Sequence, residues 1–112
     1  MPIRALIVDH DPGFVEVLRT ALADSQAVKV VGSANDGAEA LQLVEELAPE
    51  VVTMDLDMPR LEGVEATSLV LERYPGTVVV LVSGSENHAK DEIEEEILAA
   101  ASQHRPLRFV HV

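Results

Sequence analysis

Five short apolar segments, each long enough for one β-strand, alternate along the chain with four amphipathic segments. The apolar segments lie at residues 3–8, 28–34, 51–54, 77–82 and 107–112 and are rich in Val, Ile and Leu. The segments between them, at 11–25, 37–49, 63–75 and 90–103, have apolar residues at helical spacing. Strands apolar on both faces and separated by amphipathic helices predict an α/β doubly wound fold with a central five-stranded parallel sheet. Its crossover connections should be right-handed.

The helical spacing also predicts which residues face the sheet. In the first helix, Asp11 is a suitable N-cap and Pro12 a suitable first-turn residue. The residues predicted to point inward in three of the helices are Phe14, Leu18, Ala21 and Leu22; Ala38, Leu41, Val44 and Leu47 or Ala48; and Ile93, Ile97, Leu98 and Ala101.

The composition limits the possible functions of the chain. Its 112 residues suit a single domain, 1–112, and its formal net charge of −12 argues against direct binding to nucleic acid or an anionic membrane. No apolar run approaches membrane-spanning length, and the first residues do not resemble a signal peptide. The chain contains no cysteine, which suits the cytoplasm, the expected location.

Polar residues follow three of the predicted strands. Asp9, Asp55 and Ser83 each come directly after the last apolar residue of a strand. Because ligands in doubly wound folds bind at the carboxyl ends of the strands, these residues should share one functional edge. Carboxylates there suit Mg²⁺, and a carboxylate can accept a phosphoryl group. The simpler alternative, in which these acids only cap a helix and begin a turn, is less favoured for residues at three strand ends.

The chain resembles the receiver (response-regulator) domain of two-component signalling. The segments that carry the resemblance are "LIVDHDP", "VVGSANDGAEALQL", "MDLDMPRLEG" and "VVVLVSGS", of which "MDLDMPRLEG" is the most specific. The resemblance runs from Ile3 to about Ser85. It implies a flavodoxin-like (CheY-like) fold, Mg²⁺ as cofactor, and phosphorylation by a sensor histidine kinase or a phosphotransfer protein.

The resemblance also implies a role for each matching residue. Asp55 is the expected phosphoacceptor. The expected metal ligands are Asp9, Asp55 and the backbone carbonyl of Asp57, with His10 or Asp11 as a further candidate. The expected phosphoryl-binding and switch residues are Ser83 and Phe109, and the residues expected to shape the loop are Pro59 and Gly63.

Two positions at the expected site depart from the family pattern. His10 stands where the family has a second acid, and it either ligates a softer metal, weakens Mg²⁺ binding or simply faces solvent. The fifth strand contains no lysine, and Val112 falls where the family has one. Lys90 could substitute for it, although a solvated role for Lys90 is favoured. Loss of this cation should slow phosphoryl transfer.

The C-terminal part, after about residue 86, also departs from the family. No final helix follows the fifth strand, so we expect one flank of the sheet to be uncovered. Dimerisation or exchange of the C-terminal part between two copies would cover that flank, and a truncated chain would also explain it. The glutamates at 92 and 94–96 are interpreted as a solvated helix face, with a basic partner as the alternative.

The sequence therefore predicts a phosphoacceptor receiver, not a turnover enzyme, that switches a protein-interaction surface of an unseen effector domain or partner. The alternative is a degenerate receiver acting as a constitutive interaction or dimerisation module. A Mg²⁺-dependent phosphatase related to haloacid dehalogenases is weakly suggested by "VVTMDLD". Residues 49–63 resemble receivers of chemotaxis methylesterases and residues 34–43 resemble receivers of DNA-binding regulators, so the output, including transcription regulation, stays open.

Overall fold

The computed structural model of the chain describes residues 1–55, 58, 62–83, 90–103 and 107–111. They form a five-stranded parallel sheet with strand order β2-β1-β3-β4-β5 and helices on both faces. The elements in chain order are β1 (Ile3–Val8), α1 (Pro12–Leu22), β2 (Val28–Ala34), α2 (Gly37–Leu47), β3 (Val51–Asp55), α3 (Glu62–Arg73), β4 (Val78–Ser83), α4 (Lys90–Gln103) and β5 (Leu107–His111). The predicted fold class and order of elements are confirmed. Within the described residues, no helix is both long and apolar enough to cross a membrane.

The two faces of the sheet carry two separate apolar clusters. Side chains alternate between the faces along each strand, so Ala5 and Ile7 of β1 pack beneath α1 while Leu6 and Val8 pack beneath α2 and α3. The buried residues of α4, Ile93, Ile97 and Ala100, belong to the same cluster as α1. Of the helices in the described residues, two therefore lie on each face, α1 with α4 and α2 with α3.

The position of α4 makes the fourth crossover unlike the other three. Both α1 and α4 lie on one face, yet β1 to β2 and β4 to β5 step in opposite directions across the sheet. The connections through α2 and α3 lie on the other face and step in the same direction as β4 to β5. Relative to the β1-α1-β2 connection, both the face and the direction are reversed, so these connections have the same hand as β1-α1-β2. The β4-α4-β5 connection has the opposite hand, so the prediction that all crossovers are right-handed is wrong for it.

Burial of apolar surface explains this arrangement. With no helix after β5 in the described residues, α1 alone would cover its face of the sheet. Placing Ile93 and Ile97 there at 1% and 0% exposure gains about 1.5–3 kcal/mol for each side chain. Because α4 covers the face beside α1, the uncovered flank expected from the sequence does not lie on that side. On the opposite face, Leu81 of β4 is only half-buried.

The predicted inward faces of the helices are partly right. Leu18, Leu22, Val44, Ile93 and Ile97 are buried as expected. The half-buried residues of the predicted sets are Phe14, Ala21, Leu41, Leu47, Leu98 and Ala101, and Val15, Ala40 and Ala100 are buried in addition. Two residues of the α2 set, Ala38 and Ala48, are exposed, because the stripe of α2 that meets the sheet runs through Gly37, Ala40 and Val44.

The beginnings of two helices are determined by aspartate caps. The Asp11 carboxylate accepts a hydrogen bond from the Gly13 N–H at 2.9 Å, and Pro12 occupies the first turn of α1. The Asp36 carboxylate accepts from the Glu39 N–H at 2.8 Å at the start of α2. Both caps lie at the carboxyl edge of the sheet, so they position the loops that follow β1 and β2.

Candidate metal and phosphoryl site

The site lies where β1 and β3 end side by side. In their parallel register Val8 is opposite Met54, so Asp9 and Asp55, one residue further along, are neighbours at the same edge. Asp55 is the last residue of β3 rather than the first residue beyond it, and it is only 6% exposed. A carboxylate at such a position is directed toward the edge where this class of fold binds its ligands.

Asp9 is held in place by hydrogen bonds from two directions. Its carboxylate accepts from the Asp11 N–H at 2.9 Å, its own N–H donates to the Ala34 carbonyl at 3.0 Å, and the Asn35 side chain donates to its carbonyl at 3.2 Å. Burial raises the pKa of Asp9 from 3.8 to about 6, and the nearby Asp55 charge adds to the rise, while the Asp11 N–H and His10 oppose it. The ionised form of Asp9 is thus disfavoured unless a cation approaches.

The His10 imidazole, which can carry a positive charge, contacts the Asp55 carboxylate. The His10 Nδ1 lies 2.6 Å from Asp55 Oδ2 and 3.8 Å from Asp9 Oδ1. The His10 backbone N–H also points to Asp55 Oδ2, at 3.5 Å. The hydrogen bond to Asp55 raises the pKa of His10 above 6.5, slight burial lowers it, and the charges of Asp55, Asp9 and Asp11 raise it further. His10 therefore does not simply face solvent, which was one interpretation of the sequence.

The donor set fits a divalent cation. Asp9, His10 and Asp55 each offer one ligand atom, and these atoms lie within 4.8 Å of one another. Ligands of a six-coordinate ion with bonds of about 2.1 Å are about 3 Å apart when adjacent and about 4.2 Å apart when opposite, so a small adjustment of the side chains lets one ion reach all three. One oxygen of the Asp11 carboxylate caps α1, and Asp11 is not among these three residues.

The other predicted site residues are distributed as follows. Ser83 ends β4 one residue beyond Val82, the register partner of Asp55, so its backbone reaches the same edge. Phe109 lies in β5 opposite Leu81, and Lys90 is the first residue of α4. Gly63 is a buried residue in the first turn of α3. Asp57, Pro59 and Val112 lie outside the described residues.

Two residues near the site were not predicted from the sequence. Asn35 follows β2 and donates to the Asp9 carbonyl, a contact that the order of β2 beside β1 makes possible. Met58, shortly after β3, is 4% exposed and packs into the cluster under α2 and α3. A polar residue at the end of the neighbouring strand was a usable signal for Asn35, whereas the burial of Met58 depends on the tertiary fold.

These features define a doubly wound α/β domain whose carboxyl edge carries two acids and an imidazole suited to a divalent cation. The sequence model of the response regulator receiver domain matches residues 5–104. The chain belongs to this family, and the match extends beyond residue 85, where the resemblance was expected to end.

Two relatives of known name illustrate the relationship. The chain is 43% identical over 93 residues to a protein-glutamate methylesterase/protein-glutamine glutaminase of Thermotoga maritima, covering 82% of this chain and 27% of that protein. It is 31% identical over its whole length to a protein of the same name from Alkalilimnicola ehrlichii, covering 28% of it. The chain thus spans about a quarter of the length of these relatives.

The solved structures agree with this family. The response regulator domain of Thermotoga maritima CheB superposes with a TM-score of 0.73 at 34% identity, covering 99% of this chain and 78% of that one. The signal receiver domain of the putative response regulator NarL from Mycobacterium tuberculosis superposes with a TM-score of 0.81 at 28% identity, covering 90% and 97%. The fold and the family are therefore those expected from the sequence.

Proposed function

We propose that the chain is a phosphoacceptor receiver in which Asp55 is phosphorylated by a sensor histidine kinase or a phosphotransfer protein. The observation that carries the proposal is the position of Asp55, a buried carboxylate at the end of β3 whose ligand atom lies within 4.8 Å of those of Asp9 and His10. Such a cluster supports cation-assisted phosphoryl transfer, because it brings a nucleophilic carboxylate and metal ligands to one place.

In this proposal each residue has a chemical role. An oxygen of the Asp55 carboxylate attacks the phosphorus of a phosphohistidine, a P–O bond forms as the P–N bond breaks, and the donor imidazole leaves and takes up a proton. Asp9, His10 and Asp55 would hold the ion, with the predicted carbonyl of Asp57. Bound Mg²⁺ supplies neutralisation of the charge that develops on the phosphoryl oxygens. Ser83 is proposed to bond one of those oxygens.

The proposed output is a change in a protein-interaction surface. Receiver domains act between histidine kinases and effector domains. We propose that the surface includes the exposed side of α4 together with β5, through Ser83 and Phe109. The effector domain or partner, cytoplasmic location and dimerisation through the C-terminal part remain predictions of the same proposal. The net charge of −12 favours protein partners over direct binding to nucleic acid.

The test is intact-mass spectrometry of the protein with a divalent cation and a small phosphodonor such as acetyl phosphate. We expect a labile phosphoryl adduct on the parent and none on Asp55→Asn. Asp24→Asn is the matched control, because Asp24 is an exposed aspartate just beyond α1, and it should behave like the parent. An equal adduct on the Asp55→Asn variant would refute phosphorylation at this residue.

One observation favours the degenerate receiver as a second candidate. The 2.6 Å contact from His10 Nδ1 occupies one oxygen of the proposed nucleophile. If that contact suppresses phosphorylation, the parent will carry no adduct whereas His10→Asp will carry one. Partner binding that is identical in the parent and in Asp55→Asn would support the constitutive module.

A further inference from the structure

We infer that the cluster of Asp9, His10 and Asp55 is selective for a borderline transition-metal ion of the Co²⁺, Ni²⁺ and Zn²⁺ type over Mg²⁺. The inference rests on the proposed function in that both use the same site. Its observables, however, are metal affinity and the chemical state of His10, which are measured without phosphoryl transfer.

The first step of the argument is that His10 belongs to the ligand set. Its Nδ1 lies between the two carboxylates, 2.6 Å from Asp55 Oδ2 and 3.8 Å from Asp9 Oδ1. The backbone N–H of the same residue also approaches Asp55 Oδ2, which ties the ring to that side of the site. An ion that binds both carboxylates must therefore either coordinate this nitrogen or displace the ring.

The second step concerns charge. With His10 neutral, the three ligands carry two negative charges, whereas three carboxylates would carry three. Mg²⁺ releases its water reluctantly and is held by oxygen ligands and electrostatic attraction. Its affinity should therefore fall more than that of other divalent ions when a neutral imidazole replaces a third carboxylate. The carboxylates of Asp9 and Asp55 alone make a weak site for it.

The third step concerns the chemistry of the imidazole. Imidazole nitrogen suits Co²⁺, Ni²⁺ and Zn²⁺, and affinity for a mixed nitrogen and oxygen site rises along the first transition series. The His10 side chain is 49% exposed, so the outer part of the site opens to water, where the remaining ligands of such an ion would sit. One nitrogen and two carboxylate oxygens therefore form a partial site that favours these ions.

The experiment compares metal binding by the whole chain, stripped of metal, for the parent and three variants. Isothermal titration calorimetry with Mg²⁺, Mn²⁺, Co²⁺, Ni²⁺ and Zn²⁺ gives the affinities. The variants are His10→Asp, Asp55→Asn and the matched control His104→Asp, which makes the same chemical change at another histidine. Nitrogen NMR shifts of the imidazoles report whether His10 itself is coordinated.

We expect the parent to bind Co²⁺, Ni²⁺ or Zn²⁺ at least about a hundredfold more tightly than Mg²⁺. His10→Asp should weaken transition-metal binding and strengthen Mg²⁺ binding, each by about tenfold, while His104→Asp should resemble the parent. A His10 nitrogen shift on adding Zn²⁺, lost in Asp55→Asn, would support the site.

Equal transition-metal affinity in the parent and in His10→Asp would overturn the inference, because those ions would then bind elsewhere. Tighter binding of Mg²⁺ than of all transition metals by the parent would also overturn it. Failure of the proposed function is distinguishable, since it would appear as no phosphoryl adduct with any ion even when the metal affinities are as expected.

Discussion

The carboxyl and amino ends of the β-sheet differ in the kind of contacts that their residues make. At the carboxyl end, the ionisable side chains of Asp9, His10 and Asp55 form a partly buried cluster. At the amino end, the contacts are hydrogen bonds between backbone groups and side chains: the Arg4 guanidinium donates to the Ala48 carbonyl at 2.8 Å, and the Thr77 hydroxyl donates to the Pro49 carbonyl at 3.4 Å.

Hydrogen bonds therefore stabilise the amino end, whereas a buried carboxylate destabilises the carboxyl end. The amino end links three strands through the Glu50 N–H to the Arg4 carbonyl and the Val78 N–H to the Glu50 carbonyl, which stabilises the sheet. At the carboxyl end, burial disfavours the ionised form of Asp9, so the metal-free site lowers stability near neutral pH. Substitutions at the carboxyl end should therefore change the chemistry, and should raise stability where they remove the buried charge, whereas substitutions at the amino end should lower stability and leave the chemistry unchanged.

The largest expected effect is on phosphorylation. Asp55→Asn removes the nucleophile, so adduct formation should fall at least about a hundredfold, whereas Thr77→Val at the opposite end should leave it unchanged. Intact-mass measurements on both variants under the same conditions check this. Loss of the adduct in Thr77→Val, with the protein still folded by circular dichroism, would contradict the claim that the amino end does not affect chemistry at the carboxyl end.

The second expected effect is a pH-dependent gain in stability in the variant Asp9→Asn compared with the parent. The folded-state pKa of Asp9 is raised to about 6 from 3.8, so the metal-free protein loses stability as pH rises through this range, and the loss is complete above it. Asp9→Asn keeps an acceptor oxygen for the Asp11 N–H, and it should be more stable than the parent by about 1–2 kcal/mol at pH 8.

Urea denaturation in the presence of a chelator at pH 8 and at pH 4 measures this difference, which should shrink at the lower pH. Asp24→Asn is the control, with no pH-dependent change expected. If Asp9→Asn is no more stable than the parent at pH 8, burial does not disfavour the ionised carboxylate as argued.

The third effect is a loss of stability at the amino end. Thr77 is 6% exposed, and Thr77→Val removes its hydroxyl, so the Pro49 carbonyl loses a hydrogen-bond donor at a cost of about 1 kcal/mol. Thermal unfolding should show a melting temperature lower by about 4–8 °C. Thr20→Val, at an exposed position of α1, is the control and should change the melting temperature much less.

The smallest effect is a gain in stability at the end of α2. Ala48 has a φ of 46°, in the left-handed region that disfavours residues with a Cβ atom. Ala48→Gly should increase the free energy of unfolding by about 0.5 kcal/mol, because relief of strain exceeds the extra chain entropy of glycine. Ala38→Gly, within the helical part of α2, should have the opposite sign, and a decrease for both variants would contradict the assigned backbone strain.

Much of the fold and part of the site could be predicted from the sequence. The apolar segments at 3–8 and 28–34 coincide with β1 and β2, and the cap at Asp11 begins α1 as expected. The two strand-end acids, Asp9 and Asp55, are neighbours at one edge, because parallel strands bring their carboxyl ends together. Local periodicity carries this information, since each strand and helix forms from its own residues.

Three features depended on contacts between distant residues. The burial of Ala40 rather than Ala38 follows from the way α2 meets the sheet. The contact of His10 with Asp55 joins residues 45 positions apart, and nothing in the sequence near His10 distinguishes it from a solvent-facing ring. The side of the sheet taken by α4 was predicted wrongly, because connection hand is a general preference and apolar burial is specific to this chain.

The order of strands and helices and the edge at which the acids lie follow from local sequence patterns, because hydrophobic period, turn residues and caps act over a few neighbouring positions. The contact of His10 with Asp55 beside Asp9 and the packing of α4 beside α1 instead arise from long-range contacts. Those outcomes depend on which surfaces are left to bury and which charges are left to pair once the sheet has formed.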